Sequence, residues 1–156
     1  MQYQSTRDHA LVVSSSEAIL RGLTPDGGLF VPVSFPQADL EAWRSLDYPA
    51  LAAAVLQLYL TDYDPAFLRT AAREAYGTAF GGKAGQTVQV APGLAALELW
   101  HGPTCAFKDY ALQLMPRLLV QAKKNLGRSE TTRILVATSG DTGKAALAGY
   151  AGLDGI

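Results

Sequence analysis

Four glycines in nine residues, Gly77-Thr78-Ala79-Phe80-Gly81-Gly82-Lys83-Ala84-Gly85, separate two stretches of different character. Glycine lacks the Cβ that favours regular structure, so a cluster of this density reads as a boundary. Upstream the residues read as helices; downstream, strand-like and helix-like runs alternate. A length of 156 residues suffices for one complete domain or for two pieces of something larger. The predicted division is a mainly helical domain over 1–80, a linker at 81–86, and the first strand-helix units of an α/β domain over 87–156.

Upstream, Ser14 stands three places before Glu17, the reciprocal capping pattern, and Gly22 can end the helix so started. Asp26-Gly27-Gly28 signals a turn, after which Leu29, Phe30 and Val31 form a short extended stretch stopped by Pro32 and, further on, Pro36. From Asp47 an apolar helix is expected, with Pro49 in its first turn and a stripe of Leu51, Val55 and Leu58 or Tyr59. Another is expected after Asp64 as cap and Pro65 as first residue, carrying Phe67, Leu68, Ala71, Ala72 and Ala75, and ending at Gly77.

Downstream, 87–90 and 94–100 are strand-like, 101–108 is a loop, and 110–126 has the spacing of an amphipathic helix. Pro116 should bend that helix or split it near Leu112. Ile134-Leu135-Val136 within 133–137 reads as a buried parallel-type strand that breaks at Thr138 to Gly143 and restarts as an alanine-rich helix from Lys144. Strand, helix, strand, helix is the order of an α/β layer. Gly152 to Ile156 would close a helix and begin another strand, so the chain is expected to be the N-terminal part of a larger α/β protein.

Charge and cysteine content narrow the functions. Thirteen Lys plus Arg against fourteen Asp plus Glu leave no basic surface for nucleic acid or anionic lipid. The single cysteine, Cys105, has no partner for an intramolecular disulfide, and His9 and His101 lie too far apart to suggest a metal site. The first ten residues lack the apolar core of a signal peptide, and no apolar run reaches membrane-spanning length. A cytoplasmic protein acting on neither nucleic acid nor membrane is the expectation.

Two segments carry chemistry. In His101-Gly102-Pro103-Thr104-Cys105-Ala106-Phe107-Lys108-Asp109, Lys108 lies between aromatic residues at the start of a helix and is the only Lys or Arg between positions 84 and 116. A lysine that attacks carbonyls must be neutral, and burial or the positive end of a helix lowers its pKa. The bland reading of the same residue is a lysine whose stem packs on apolar neighbours while its head reaches water. The second segment, Ala137-Thr138-Ser139-Gly140-Asp141-Thr142-Gly143, joins a strand to a helix and can aim backbone N–H groups and hydroxyls at a carboxylate or phosphate. It also fits an ordinary turn capped by its own side chains, and spacing does not choose. A P-loop is excluded because position 138 is Thr and Ala145 follows Lys144; the dinucleotide pattern is absent too. His101 reads as a loop hydrogen-bonder, Cys105 as a small packed residue, and Trp43, Trp100, Tyr59 and Tyr76 as core or interface aromatics.

Together, Leu97 to Asp109 and Ala137 to Gly143 resemble the threonine synthase family. Tyr3 with Ser5-Thr6-Arg7, followed by Gly22-Leu23-Thr24-Pro25-Asp26-Gly27-Gly28-Leu29-Phe30-Val31-Pro32, is similar to that family's N-terminal domain, so nearly the whole chain is covered. The resemblance implies a fold-type II, pyridoxal 5′-phosphate-dependent lyase of threonine biosynthesis, with 1–80 as its N-terminal domain and 87–156 as the start of its catalytic domain. It implies that Lys108 carries the cofactor as a Schiff base and serves as general base. The reaction converts O-phospho-L-homoserine and water to L-threonine and phosphate by β,γ-elimination and replacement. Thr138, Ser139, Gly140, Asp141 and Thr142 would bind the substrate carboxylate, with Asp141 also beside the cofactor. Cys105 and Lys144 depart from the family's usual residues without removing a motif. The family's glycine-rich loop for the cofactor phosphate would lie past position 156, which implies that these residues alone are inactive and bind cofactor weakly or not at all. The alternatives are a threonine-synthase-like phospho-lyase making 2-oxobutyrate and a non-catalytic folding or docking module.

Overall fold

Side-chain caps start the upstream helices where short polar residues precede apolar runs. In the computed structural model, which describes all 156 residues, Ser14 opens α1 (Ser15–Arg21) by accepting from the Glu17 N–H at 3.2 Å. Glu17 pairs with Arg21 rather than returning to Ser14, so only half of the expected reciprocal cap forms. Gly22, at φ 70°, closes the helix by donating its N–H to Ala18 O at 3.0 Å. Asp39 caps a single turn, α2 (Leu40–Trp43), which has too few residues to show a period. Asp47 and Asp64 cap α3 (Tyr48–Tyr59) and α4 (Pro65–Ala72) through N–H bonds of 2.9 Å each, and Pro49 and Pro65 occupy the first turns as expected.

The expected stop at Gly77 does not occur. The chain widens into a π-helical turn, Arg73–Thr78, with Ala79 N donating to Glu74 O at 3.3 Å. Glycine ends a helix by turning left-handed, and the glycines that do so are Gly81 (φ 59°) and Gly82 (φ 76°), not Gly77.

The N-terminal residues form an antiparallel sheet of β1 (Gln2–Ser5), β2 (Val12–Ser14) and β3 (Phe30–Pro32), in the order β2-β1-β3. Tyr3 lies opposite both Val13 and Pro32, and Pro32 is tolerated because β3 is an edge strand. A separate hairpin joins β4 (Thr87–Ala91) to β5 (Leu94–Leu97) across Gly93, with a bulge between Gln89 and Ala91. The second strand stops at Leu97, short of the expected Trp100; beyond the Leu97–Thr87 pair one more bond, from Glu98 N–H to Gln86 O at 2.9 Å, closes the open end of the hairpin.

Pro116 splits the next helix as expected, into α5 (Asp109–Leu112) and α6 (Met115–Asn125). α7 (Asp141–Tyr150) begins three residues ahead of the expected Lys144. The expected strand at 133–137 is absent. A strand is defined by its ladder, and no segment of these residues pairs with Ile134 to Val136; Leu135 is 95 % exposed rather than buried.

The main core lies among α3, α4, the π-turn and α6. Leu68, Ala72, Ala75 and Ala122 are fully buried there, with Tyr63, Phe80 and Leu118 around them. The face of α3 differs from the expected stripe: Ala53 is buried and Ala52 and Leu56 pack beside it, while Val55 is exposed. That helix is apolar on almost every side, so its periodicity does not select a face. Its small residues meet Ala71, Ala72 and Ala75, which allows close approach of the helices. α6 also packs on α1: Asn125 donates to Ser16 Oγ at 2.9 Å and to Asp62 O at 3.1 Å, and Tyr63 donates to Leu118 O at 3.1 Å. The core therefore draws on residues from both sides of 81–86. No helix is long and apolar enough to cross a membrane.

Candidate functional site

The loop before α5 is held by a buried carboxylate. Asp109 has no exposed surface, and its two oxygens accept from the Thr104 N–H at 2.9 Å and the Thr104 hydroxyl at 2.7 Å. Gly102 lies against the same group; a Cβ there would come within 2.4 Å of Asp109 Oδ2. Cys105 donates its N–H to Gly102 O at 3.1 Å and adopts φ 58°, the only non-glycine residue in the left-handed region. Its side chain is exposed rather than packed, so the expectation of a small core residue fails because the turn points it outward. Strain of this kind persists where surrounding contacts over-determine the backbone, as the Asp109–Thr104 clamp does here.

That clamp positions Lys108 at the start of α5. Its side chain is half-buried, with Nζ 4.0 Å from the centroid of the Phe107 ring and no carboxylate or carbonyl engaging it. The next turn is anchored by Tyr110, whose hydroxyl accepts from the Gly85 N–H at 2.9 Å and whose carbonyl accepts from the Tyr76 hydroxyl at 2.9 Å. Tyr110 also packs on Phe80 with ring centroids 4.6 Å apart and on Tyr48 at 5.8 Å, edge-on. The lysine loop is thus fastened to the helical core through aromatic side chains. His101 is a hydrogen-bonder as expected, its Nε2 lying 2.6 Å from Glu98 Oε2.

The second segment leads into α7, which packs directly on α5. Gly149 makes this possible, since a Cβ there would fall 1.8 Å from Leu112 O. Gly143 performs a similar service at the other end of α7, where a Cβ would meet Thr138 Cγ2 at 2.2 Å. Gly140, at φ 151°, takes a backbone conformation that other residues avoid. The first intrahelical bond runs from Lys144 N to Gly140 O at 2.9 Å, and no side chain caps the earlier N–H groups.

Thr138, Ser139, Gly140, Asp141 and Thr142 are all exposed. Thr138 Oγ1 accepts from Gly140 N at 3.4 Å, and Asp141 lies 3.5 Å from the Lys144 ammonium. Lys108 and this segment therefore sit at the starts of two touching helices, without a hydrogen bond between them. Sequence reasoning singled out Lys108 and the 137–143 turn but missed Asp109, Thr104, Tyr110 and Gly149. Asp109 and Gly102 were in the right motif, yet nothing in a linear run shows that a carboxylate folds back over a glycine seven residues earlier.

At the other end of the chain, the resembling N-terminal residues form one polar network. Ser5 is buried, and its Oγ accepts from the N–H groups of Arg7 and Asp8 at 3.1 Å each and donates to Thr24 Oγ1 at 3.3 Å. Thr24 in turn donates to Asp26, and Arg7 reaches Asp26 O at 2.6 Å. The Thr24 hydroxyl holds the Asp26 carboxyl below its ordinary pKa, aided by the Gly28 N–H and the Arg7 charge. Gly28 is required because a Cβ would come within 2.8 Å of Thr24 Oγ1.

The family described as "Threonine synthase N terminus" matches residues 2–76. Threonine synthase of Saccharomyces cerevisiae is 40 % identical over 96 % of the chain and 32 % of the relative, and that of Pseudomonas aeruginosa is 40 % identical over 100 % and 34 %. The crystal structure of a PLP-bound threonine synthase from Brucella melitensis superimposes with a TM-score of 0.91 at 41 % identity, covering 99 % of this chain and 34 % of that one. The chain spans about a third of the length of the curated relatives it matches. In sequence and in fold, over nearly its whole length, the chain is similar to the N-terminal part of the threonine synthases.

Proposed function

We propose that the protein to which these residues belong is a pyridoxal 5′-phosphate-dependent threonine synthase, converting O-phospho-L-homoserine and water to L-threonine and phosphate in the cytoplasm. The observation that carries this reading is Lys108, a half-buried primary amine that no acidic group neutralises, on a loop fixed by the buried Asp109. Such an amine suits covalent attachment of an aldehyde, because it is not committed to an ion pair and its backbone cannot drift. The cofactor, when bound, supplies an electron sink for carbanions at the substrate carbons. Lys108 would hold it and take or return protons at Nζ.

Substrate binding falls to 138–142. The uncapped N–H groups at the start of α7, together with the hydroxyls of Ser139 and Thr142, suit a carboxylate, and Asp141 would orient a donor on cofactor or substrate. Lys144, 3.5 Å from Asp141, offsets the negative charge that Asp141 would otherwise present to an anionic substrate. The division into a helical N-terminal domain over 1–80, a linker at 81–86 and the start of a catalytic domain over 87–156 belongs to the same proposal. The left-handed glycines Gly81, Gly82 and Gly85 support the linker.

Borohydride reduction of the protein loaded with pyridoxal phosphate, followed by peptide mapping, should place a pyridoxyl group on Lys108; a label on another lysine overturns the assignment. Incubation with O-phospho-L-homoserine should release phosphate and threonine together. Release of 2-oxobutyrate and ammonia without threonine would identify a phospho-lyase instead.

A further inference from the structure

One large cavity belongs to neither loop. It occupies about 710 Å³ between α2, α3 and the α4–π-turn segment, and no residue of 101–109 or 137–143 lines it. Its volume lies within the range of small-molecule sites, which spans roughly 300–1,000 Å³. Trp43, Pro49, Ala53 and Leu58 supply apolar wall, with Trp43 delivered by the one-turn helix α2.

The polar side of this cavity is chemically specific. Arg69 and Arg73 both line it, and neither guanidinium forms an ion pair or hydrogen bond with the protein. They stand four residues apart, on adjoining turns of one continuous helical segment, where side chains are neighbours at about 5–6 Å. The Arg73 stem passes beside Gly77 and Pro49. Gln57 adds an amide without a partner in the protein. Asp47 is the one acidic lining residue, and its Oδ1 already accepts from the Ala50 N–H at 2.9 Å.

We propose that this cavity binds an organic monophosphate. Two unpaired guanidiniums in one wall match the charge of about −1.5 to −2 and the three acceptor oxygens of a phosphate ester better than a single carboxylate. The apolar walls and Trp43 accept the organic group, and Asp47, at the α3 end, directs the anionic end away from itself towards Arg69 and Arg73.

Trp43 makes the site observable in these 156 residues, among which Trp100 is the other tryptophan. In a Trp100→Phe background, titration with phenyl phosphate should change Trp43 fluorescence saturably. Adding Arg69→Ala and Arg73→Ala should weaken that binding at least about tenfold, since each removes charge-assisted hydrogen bonds. Both arginines are exposed, and circular dichroism will show whether the fold is intact. Inorganic phosphate should bind more weakly than phenyl phosphate. Absence of saturable change, equal affinity in the double arginine variant, or equal affinity for inorganic phosphate would each overturn the proposal. Labelling of Lys108 by pyridoxal phosphate should be unchanged in the arginine variants, which separates this site from the proposed catalytic one.

Discussion

Asp109 and Thr104 are joined twice, by the Thr104 N–H and the Thr104 hydroxyl, each to a different oxygen of a carboxylate that water does not reach. A buried carboxylate is stable only when such donors satisfy it. The pair therefore sets the path of the loop that ends in Lys108.

Replacing Asp109 with Ala removes both acceptors and leaves the Thr104 donors without them. The expected loss is about 2–3 kcal/mol, the cost of stranding two buried-side donors. Urea unfolding followed by circular dichroism measures it, and a loss below about 0.5 kcal/mol would show that the loop does not depend on this clamp.

Gly149→Ala puts a methyl group into the Leu112 carbonyl, where the available separation is 1.8 Å. Backbone cannot rotate aside as a side chain can, so α7 must move off α5. A destabilisation of about 2–3 kcal/mol is expected in the same assay. Gly93→Ala serves as the control, since open space surrounds that turn and only its left-handed φ of 75° is strained.

Cys105→Gly should leave stability unchanged or raise it by up to about 1 kcal/mol, as relief of left-handed strain offsets the added freedom of the unfolded chain. Cys105→Val should cost about 1–2 kcal/mol, because a β-branched residue fits φ 58° worst. Thermal melts of the two variants should therefore bracket the parent.

Alkaline pH should destabilise the fold. Burial pushes the Tyr63 and Tyr76 phenols well above their ordinary pKa of 10.0, and each donates its proton to a backbone carbonyl. Below about pH 10 both states keep these protons and nothing changes. Above it the unfolded chain loses them first, so stability falls by about 1.4 kcal/mol per pH unit for each tyrosine until the folded phenols ionise as well. Tyr76→Phe should cost about 1 kcal/mol at pH 7 through the lost bond to Tyr110 O and should flatten the decline above pH 10. An unchanged slope would show that Tyr76 is not responsible.

What the sequence made legible was local. Ser14, Asp47 and Asp64 cap helices because the cap bond spans two or three residues, and Pro116 breaks a helix by its own geometry. Lys108 and the 137–143 turn stood out by residue type and position. What stayed hidden depends on distant partners: β1 needs β2 and β3 before it is a strand, and Ile134 to Val136 have the composition of one but no neighbour here to pair with. The role of Asp109 was hidden for the same reason. Its acidity was plain, but burial is a property of the fold around it.

Gly149 against Leu112 is a contact between two main chains, with no side chain between them to yield. Helices joined in this way cannot roll over one another as helices separated by leucines can. Lys108 and Asp141, one just ahead of α5 and the other the first residue of α7, therefore sit on what is mechanically one plate. Any change in the spacing between them must come from bending of the loops that carry them, while the two helices stay fixed against each other.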